Sequence, residues 1–221
     1  MSKQFLIILA VLVLGFIGFV AFQGKKDSGS TGGDSSSSAQ PSEHKKGAGN
    51  KGVTLVEYGD FQCPSCGAYF PVLQQVKEKY GDDITFQFRN FPLTQIHQNA
   101  MAAHRAAEAA AKQDKFWEMH DLLYERQNAW GTNQNVAQVM EDYASELGLN
   151  VEQFKTDYQS AEVNAVINAD MAAGQELKIT GTPTFIINGE KIESPGRTVE
   201  EFSKTIDDAI AKAQSNNQSN Q

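Results

Sequence analysis

Residues 5–22 are an unbroken run of 18 positions, all apolar or glycine. Coiled as an α-helix, such a run reaches about 27 Å, enough for the hydrocarbon core of a bilayer. A cleaved export signal would carry a shorter apolar stretch and a small-x-small cleavage site. Here the run ends in Ala21-Phe22-Gln23-Gly24-Lys25, and no cysteine follows it that could take a lipid. Residues 1–23 therefore read as an uncleaved single-pass transmembrane anchor. Lys3 lies on one side of it and Lys25 and Lys26 on the other, so flanking charge does not orient it. Residues 24–52 lose all apolar periodicity and are rich in Gly, Ser and Lys, the composition of a flexible linker with a reach of about 30 Å. His44 falls in that stretch and reads as a solvated histidine.

From residue 53 the pattern is that of a folded domain. Positions 53–58 alternate and are β-branched, predicting a strand. Positions 63–80 carry Phe70, Leu73, Val76 and Tyr80 on one side of a helix, and 84–90 alternate again as a second strand. Residues 94–177 are helical almost throughout, with segments at 100–111, 116–127 and 136–147, the last closed by Gly148. Asn150 and Gln153 form a capping pattern that opens another helix. A strand at 182–187, a turn at Asn188-Gly189 and a return strand at 190–193 follow. Thr198 and Glu201 form a second capping pattern, opening a helix to about residue 213. Residues 214–221 read as a disordered tail. The order is β-α-β, a block of helices, then β-β-α. Without the block, a small mixed sheet covered by helices remains. Residues 53–213 make one α/β domain of ordinary size, with the insertion at about 94–177.

Charge and cysteine count narrow the chemistry. Residues beyond 52 hold 13 basic and 24 acidic side chains, and no basic stripe, which argues against nucleic-acid binding. The chain has two cysteines, Cys63 and Cys66. Two residues so close staple no long loop, and two cannot make a four-cysteine zinc site. They are a redox pair or half of a soft-metal site. Pro64 after Cys63 suits the first helical position, which puts Cys63 at the N-cap, facing unpaired N–H groups and the positive end of the helix. That environment favours the thiolate over a free thiol of pKa about 8.5. Cys66 lies one turn further on the same face, pointing inward. Cys63 thus exchanges with substrate and Cys66 resolves.

The segment from Glu57 through Tyr58, Gly59, Asp60, Phe61, Gln62, Cys63, Pro64, Ser65 and Cys66 to Phe70 resembles the DsbA-like branch of the thioredoxin superfamily. Gly181-Thr182-Pro183-Thr184-Phe185-Ile186 is similar to the family's cis-proline loop, and Lys115 to Leu123 to its inserted helices. The resemblance covers about residues 53–213. It implies a thioredoxin fold carrying an all-helical insertion, with the Pro183 bond cis and the Thr182 backbone pairing with an extended substrate. It also implies that Glu57 is the buried acid moving the inner thiol's proton. No cofactor is implied beyond the redox-active Cys63–Cys66 disulfide. The implied partners are unfolded exported proteins with reduced cysteines and a membrane quinone-linked re-oxidising protein of the DsbB or vitamin K epoxide reductase type. The domain would lie outside the cytoplasm, where disulfides persist. The family's strong oxidants carry His where this chain has Ser65, which predicts weaker thiolate stabilisation and a less oxidising couple. A membrane-tethered reductase or isomerase is the alternative within the class, and a Cu(I)-binding module the alternative outside it. Met101, His97, His104 and His120 are all remote from the pair in sequence, which weighs against copper.

The remaining candidates read as structural. His104 and Glu108 are spaced i, i+4 and read as a helix-surface pair rather than a metal site. Trp117 and Trp130 read as packing residues, and Asn188-Gly189 as turn chemistry alone.

Overall fold

Val53–Gly59 forms strand β2 in the computed structural model, which describes residues 39–193 and 195–219. Its alternation sets two faces. Val53 and Leu55 enter a core completed by Leu73 and Val76 of helix α1 (Pro64–Tyr80) and by Phe202 and Ile206 of helix α8 (Val199–Ser219). Tyr58 points the other way, against Phe91, Ile179 and Ile186. Side chains of this size contribute about 1.5–3 kcal/mol each when fully buried, which fixes the strand's register.

Strand β3 (Ile84–Asn90) runs parallel to β2, with α1 and a short 3₁₀ turn between them. Strand β4 (Thr184–Ile187) pairs antiparallel with the other edge of β2, and β5 (Glu190–Ile192) folds back on β4. The strand expected at 182–187 begins only at Thr184, because residues 181–183 form a loop. Asn188 and Gly189 take φ of 49° and 85°, as a type I′ turn requires. Asn188 also goes beyond turn chemistry: its side chain accepts from Thr54 N–H at 2.8 Å and donates to Gly52 C=O at 2.9 Å, tying the hairpin to the start of β2.

Between β3 and β4 lie helices α2 (Ala100–Ala111), α3 (Phe116–Glu125), α4 (Gln127–Trp130), α5 (Val136–Glu146), α6 (Val151–Tyr158) and α7 (Ala161–Glu176). The alanines of α2 let it sit centrally in a core with Met119, Leu123, Trp130, Met140 and Phe154. Asn150 caps α6 by accepting from Gln153 N–H, and Thr198 and Glu201 exchange capping bonds at α8. Both Trp117 and Trp130 pack in cores; Trp130 is fully buried and donates to Leu123 C=O. The whole is a thioredoxin fold with a five-stranded mixed sheet of order β1-β3-β2-β4-β5, in which β1 is His44–Lys46, flanked by helices.

Four expectations need correction. The linker does not run to residue 52: His44–Lys46 forms strand β1, antiparallel on the edge of β3. Three polar residues carry no apolar signal, and what holds them is polar and tertiary. Ser42 gives its N–H and hydroxyl to Asp170, at 2.8 and 2.7 Å, and His44 stacks on Phe116 and meets Glu108 Oε1 at 2.8 Å. His44 is therefore a packed residue, not a solvated one. His104 and Glu108 are likewise buried rather than a surface pair. Asn90 at the end of β3 joins them, accepting at 2.6 Å from His104 Nδ1 and donating at 2.6 Å to Glu108. Finally, α8 continues through Ser219, well into the expected tail. The apolar run at 5–22 and the linker as far as residue 38 lie outside the described residues. Among the described residues no helix is long and apolar enough to cross a membrane.

Candidate active site

Strand β2 ends at Gly59, and a turn over Asp60, Phe61 and Gln62 delivers Cys63 to the N-cap of α1, with Pro64 opening the helix. Both cysteines are free thiols in this structure. Cys63 is 7% exposed and Cys66 is fully buried. In the thiol form Cys63 Sγ donates to Thr182 C=O at 3.4 Å, so the loop preceding β4 lies directly against the outer sulfur. The Thr182–Pro183 peptide bond is cis.

The two sulfurs titrate far apart. Cys63 is lowered from 9.0 to about 5, first by the hydrogen bond from the Cys66 thiol, then by Thr182 and the backbone N–H groups of Cys66 and Ser65, against the opposing effect of burial. Cys66 is pushed well above the ordinary thiol value by its burial, by donating to Cys63 and by the charge of Glu57. Ser65 acts here through its backbone N–H.

Glu57 occupies the position after Leu55 on the core-facing side of β2, so register alone carries a carboxyl under α1. Its Oε1 has no hydrogen-bond partner among the described residues, and desolvation raises its pKa to about 8. Lys77 opposes that rise. Its own ammonium, packed over the rings of Phe86 and Trp117 at 4.8 and 5.4 Å, is lowered to about 8 by burial. Sequence reasoning passed over Lys77. The signal was present, since Lys77 is eleven positions after Cys66 and four after Leu73, both buried on α1, and so falls on the same helical face.

Two further residues missed in the sequence shape the loop. Asp60 is fully buried beneath it. Gln127 donates to the carbonyls of Phe61 and Cys63 at 2.7 and 2.9 Å, and its amide lies over Gly67, where a Cβ would come within 2.7 Å of Gln127 Oε1 and push it aside. Tyr124 places its hydroxyl against Gly59 and belongs to the same buried group. Beside the helix N-terminus, Ser65, Ala68, Tyr69 and Arg197 line a hollow of about 250 Å³. Another, of about 430 Å³, lies between the β4–β5 hairpin and α8 and has none of these groups in its walls. Among the described residues no cluster of His, Cys, Asp and Glu could hold a metal ion.

An outer thiol of lowered pKa at a helix N-cap, a buried inner thiol and a facing loop with a cis proline make a dithiol site on a thioredoxin fold, and the family model for thioredoxin matches residues 39–208. The chain belongs to the thioredoxin family. That match includes β1, in keeping with a domain that starts before residue 53. Oxidised BdbD from Bacillus subtilis is similar, with a TM-score of 0.67 and 26% identity over 79% of this chain and 97% of that one. A double variant of alpha-DsbA1 from Wolbachia pipientis has the same fold, with a TM-score of 0.68 at 22% identity, covering 80% and 94% of the two chains. This thioredoxin-family domain thus has the DsbA-like form. Part of a protein named Na(+)/H(+) antiporter NhaA 1, from Mycolicibacterium gilvum, is 35% identical over 157 residues, 69% of this chain and 24% of that protein. The chain spans about a quarter of the length of the curated relatives it matches.

Proposed function

We propose that this protein is an extracytoplasmic thiol–disulfide oxidoreductase that introduces disulfides into exported proteins through Cys63 and Cys66. The observation that carries it is the placement of Cys63 at the helix N-cap, against Thr182 C=O and above a buried Cys66, which lowers the outer thiol to about 5 and pushes the inner one up. Stabilising the thiolate stabilises the dithiol form, and a stable dithiol form makes the disulfide an oxidant. The structure supplies that stabilisation without a cation between the cysteines, by way of the Cys66 thiol and the helix N–H groups. This favours the oxidase over the reductase or isomerase.

In the proposed cycle, a substrate thiolate attacks Cys63 Sγ of the Cys63–Cys66 disulfide. The S–S bond breaks, Cys66 leaves as a thiolate, and Glu57 returns a proton to it. A second substrate thiolate then attacks the substrate sulfur of the mixed disulfide, releasing Cys63 as its thiolate. The substrate dithiol is oxidised by two electrons and the enzyme disulfide reduced by two. The extended substrate segment lies along the Thr182 backbone beside Pro183. A quinone-linked membrane protein re-oxidises the pair, and the apolar run at 5–22 holds the domain at the membrane near it.

The test is the equilibrium of the Cys63–Cys66 couple with glutathione. A potential near −120 mV is that of a strong oxidase, and one near −270 mV is that of a reductant and would overturn the proposal. In intact cells, the Cys66→Ala protein should accumulate mixed disulfides through Cys63 with exported proteins.

A further inference from the structure

We infer that Asp60 is a positioning residue for the cysteine pair and that His97 latches it in place from the loop between β3 and α2. This role rests on the oxidoreductase reading above and extends it to groups outside the active-site helix. The main chain of Asp60 serves both cysteines. Its N–H donates to Cys66 Sγ at 3.5 Å, and its C=O accepts from Cys63 N–H at 3.0 Å. Its side chain, fully buried, holds that peptide where it is. Oδ1 accepts from Gln62 N–H at 2.8 Å; Oδ2 accepts from Leu93 N–H at 2.9 Å and lies 2.6 Å from His97 Nδ1. Since a carboxylate oxygen only accepts, Nδ1 is the protonated nitrogen of that imidazole.

The loop carrying His97 is itself tied down. Asn99 donates its backbone N–H to Gln62 Oε1 at 2.7 Å and its side-chain amide to the carbonyls of Trp130, Gly131 and Asn133. The segment 91–99 is therefore tied to the turn before Cys63 through Leu93, His97 and Asn99, and to the helical insertion through the Asn99 amide. His97 is its one side chain that reaches the Asp60 carboxyl, and it remains 14% exposed at the rim. Asp60 meets Cys63 only through its main chain, and neither side chain hydrogen-bonds the Cys63 sulfur. Both act on it through Cys66.

The chemical link is a chain of two hydrogen bonds. A sulfur that accepts an N–H becomes a stronger S–H donor, because polarised bonds in series reinforce one another. Asp60 N–H on Cys66 thus strengthens the Cys66 donation that does most to hold Cys63 as a thiolate. If Asp60 is displaced, its N–H contact with Cys66 Sγ, 3.5 Å long, weakens. Cys66 then turns from its task and Cys63 loses its main stabiliser.

The experiment compares His97→Ala, His97→Asn and Asp60→Asn in the full chain. Asn at 97 keeps an amide donor near the place of Nδ1, whereas Ala removes it. The readouts are the pH at which Cys63 reaches half its maximal alkylation rate and the glutathione equilibrium of the pair. For His97→Ala the alkylation midpoint should rise by roughly one pH unit, and the equilibrium should shift roughly tenfold toward the disulfide, about 30 mV. His97→Asn should stay within about threefold of the parent, and Asp60→Asn should shift further than His97→Ala. A folded His97→Ala protein with both values unchanged overturns the inference, as do equal shifts in the Ala and Asn variants, which would mean a purely structural loop. If Asp60→Asn does not fold, the two His97 variants decide the matter. A parent pair that forms no disulfide with glutathione would sink the oxidoreductase reading instead, while the alkylation midpoints still test this one.

Discussion

Glu57 and Lys77 are an acid and a base buried on facing elements, each with an unpaired polar atom among the described residues and each offsetting part of the other's desolvation. Burial drives them toward each other in pH. Glu57 rises from 4.5 to about 8 and Lys77 falls from 10.5 to about 8. A carboxyl that keeps its proton longer in the folded state than in the unfolded one makes stability fall as pH rises between the two pKa values. The Glu57→Gln protein should therefore be as stable as the parent near pH 4.5 and more stable by on the order of 3 kcal/mol near pH 8. Urea denaturation of the disulfide forms, where no thiol titrates, measures the difference directly. Subtraction also removes His104 and His120, whose burial lowers them to about 4 and acts in the opposite sense. A difference that stays constant with pH would show that Glu57 does not carry a raised pKa.

The hydrogen bond from Cys66 should be separable from its sulfur chemistry. Ser at 66 keeps an O–H donor for Cys63, whereas Ala has none. The alkylation midpoint of Cys63, near pH 5 in the parent, should stay within about half a unit in Cys66→Ser and rise by about one to two units in Cys66→Ala, as one lost charge-assisted bond of about 1.5–3 kcal/mol implies. Equal midpoints in the two variants would assign the shift to the helix N–H groups alone.

Local signals were enough for the elements around the dithiol. Alternation in β2 and β3, the proline after Cys63 and the two capping patterns each act within a few residues, so the β-α-β unit and α8's start could be read directly. What could not be read depends on partners far apart in the chain. Strand β1 exists because Asp170 and Glu108, far downstream, receive Ser42 and His44. His104 looks like a surface residue until β3 places Asn90 against it. The same holds within the site: the cysteines and Pro183 announce themselves by motif, while Asp60, Lys77 and Gln127 are ordinary polar residues until the fold buries them.

The N-terminal boundary has a measurable consequence. A chain starting at residue 53 loses β1, leaves the edge of β3 open and removes two donors from the buried Asp170 and one from Glu108. Hydrogen bonds to charged groups contribute about 1.5–3 kcal/mol each, so the loss should reach at least about 3 kcal/mol. A chain starting at residue 39 should melt like the full-length protein. Calorimetry of the two truncated forms separates these expectations, and equal melting temperatures would mean that β1 adds nothing.

Near Gly59 the packing leaves no room for a side chain. A Cβ there would lie 2.5 Å from Phe88 Cε2 and 3.0 Å from the Tyr124 hydroxyl, both carried by rings packed in the core with Cys66. Gly59→Ala should therefore destabilise the protein by about 1–3 kcal/mol, the usual effect of overpacking. It should also slow exchange at the cysteines, since the displaced strand end carries Asp60. Denaturant midpoints and the rate of substrate oxidation test the two effects together; a fully stable, fully active variant would contradict the packing.

Redox state and stability should be coupled through Cys63, with a sign set by its titration. Its folded pKa of about 5 lies below the value of 9.0 expected for an unperturbed thiol. An acid with a lowered folded pKa adds stability that is complete above the unfolded pKa and is lost as pH falls through the folded one. Only the dithiol form has this contribution, because the disulfide carries no proton at either sulfur. The stability of the dithiol form relative to the disulfide form should therefore rise with pH from about 5 upward, by on the order of 2 kcal/mol at pH 7 once partial exposure of the sulfur is allowed for. The loop-closure effect of the disulfide is the same at every pH and cannot imitate the slope. Parallel denaturation of both redox forms at pH 5 and pH 7 gives the answer, with Cys63→Ser as the reference from which the slope should vanish. If the difference is flat across that window, Cys63 is not a thiolate in the folded protein, and its disulfide is not the oxidant proposed here.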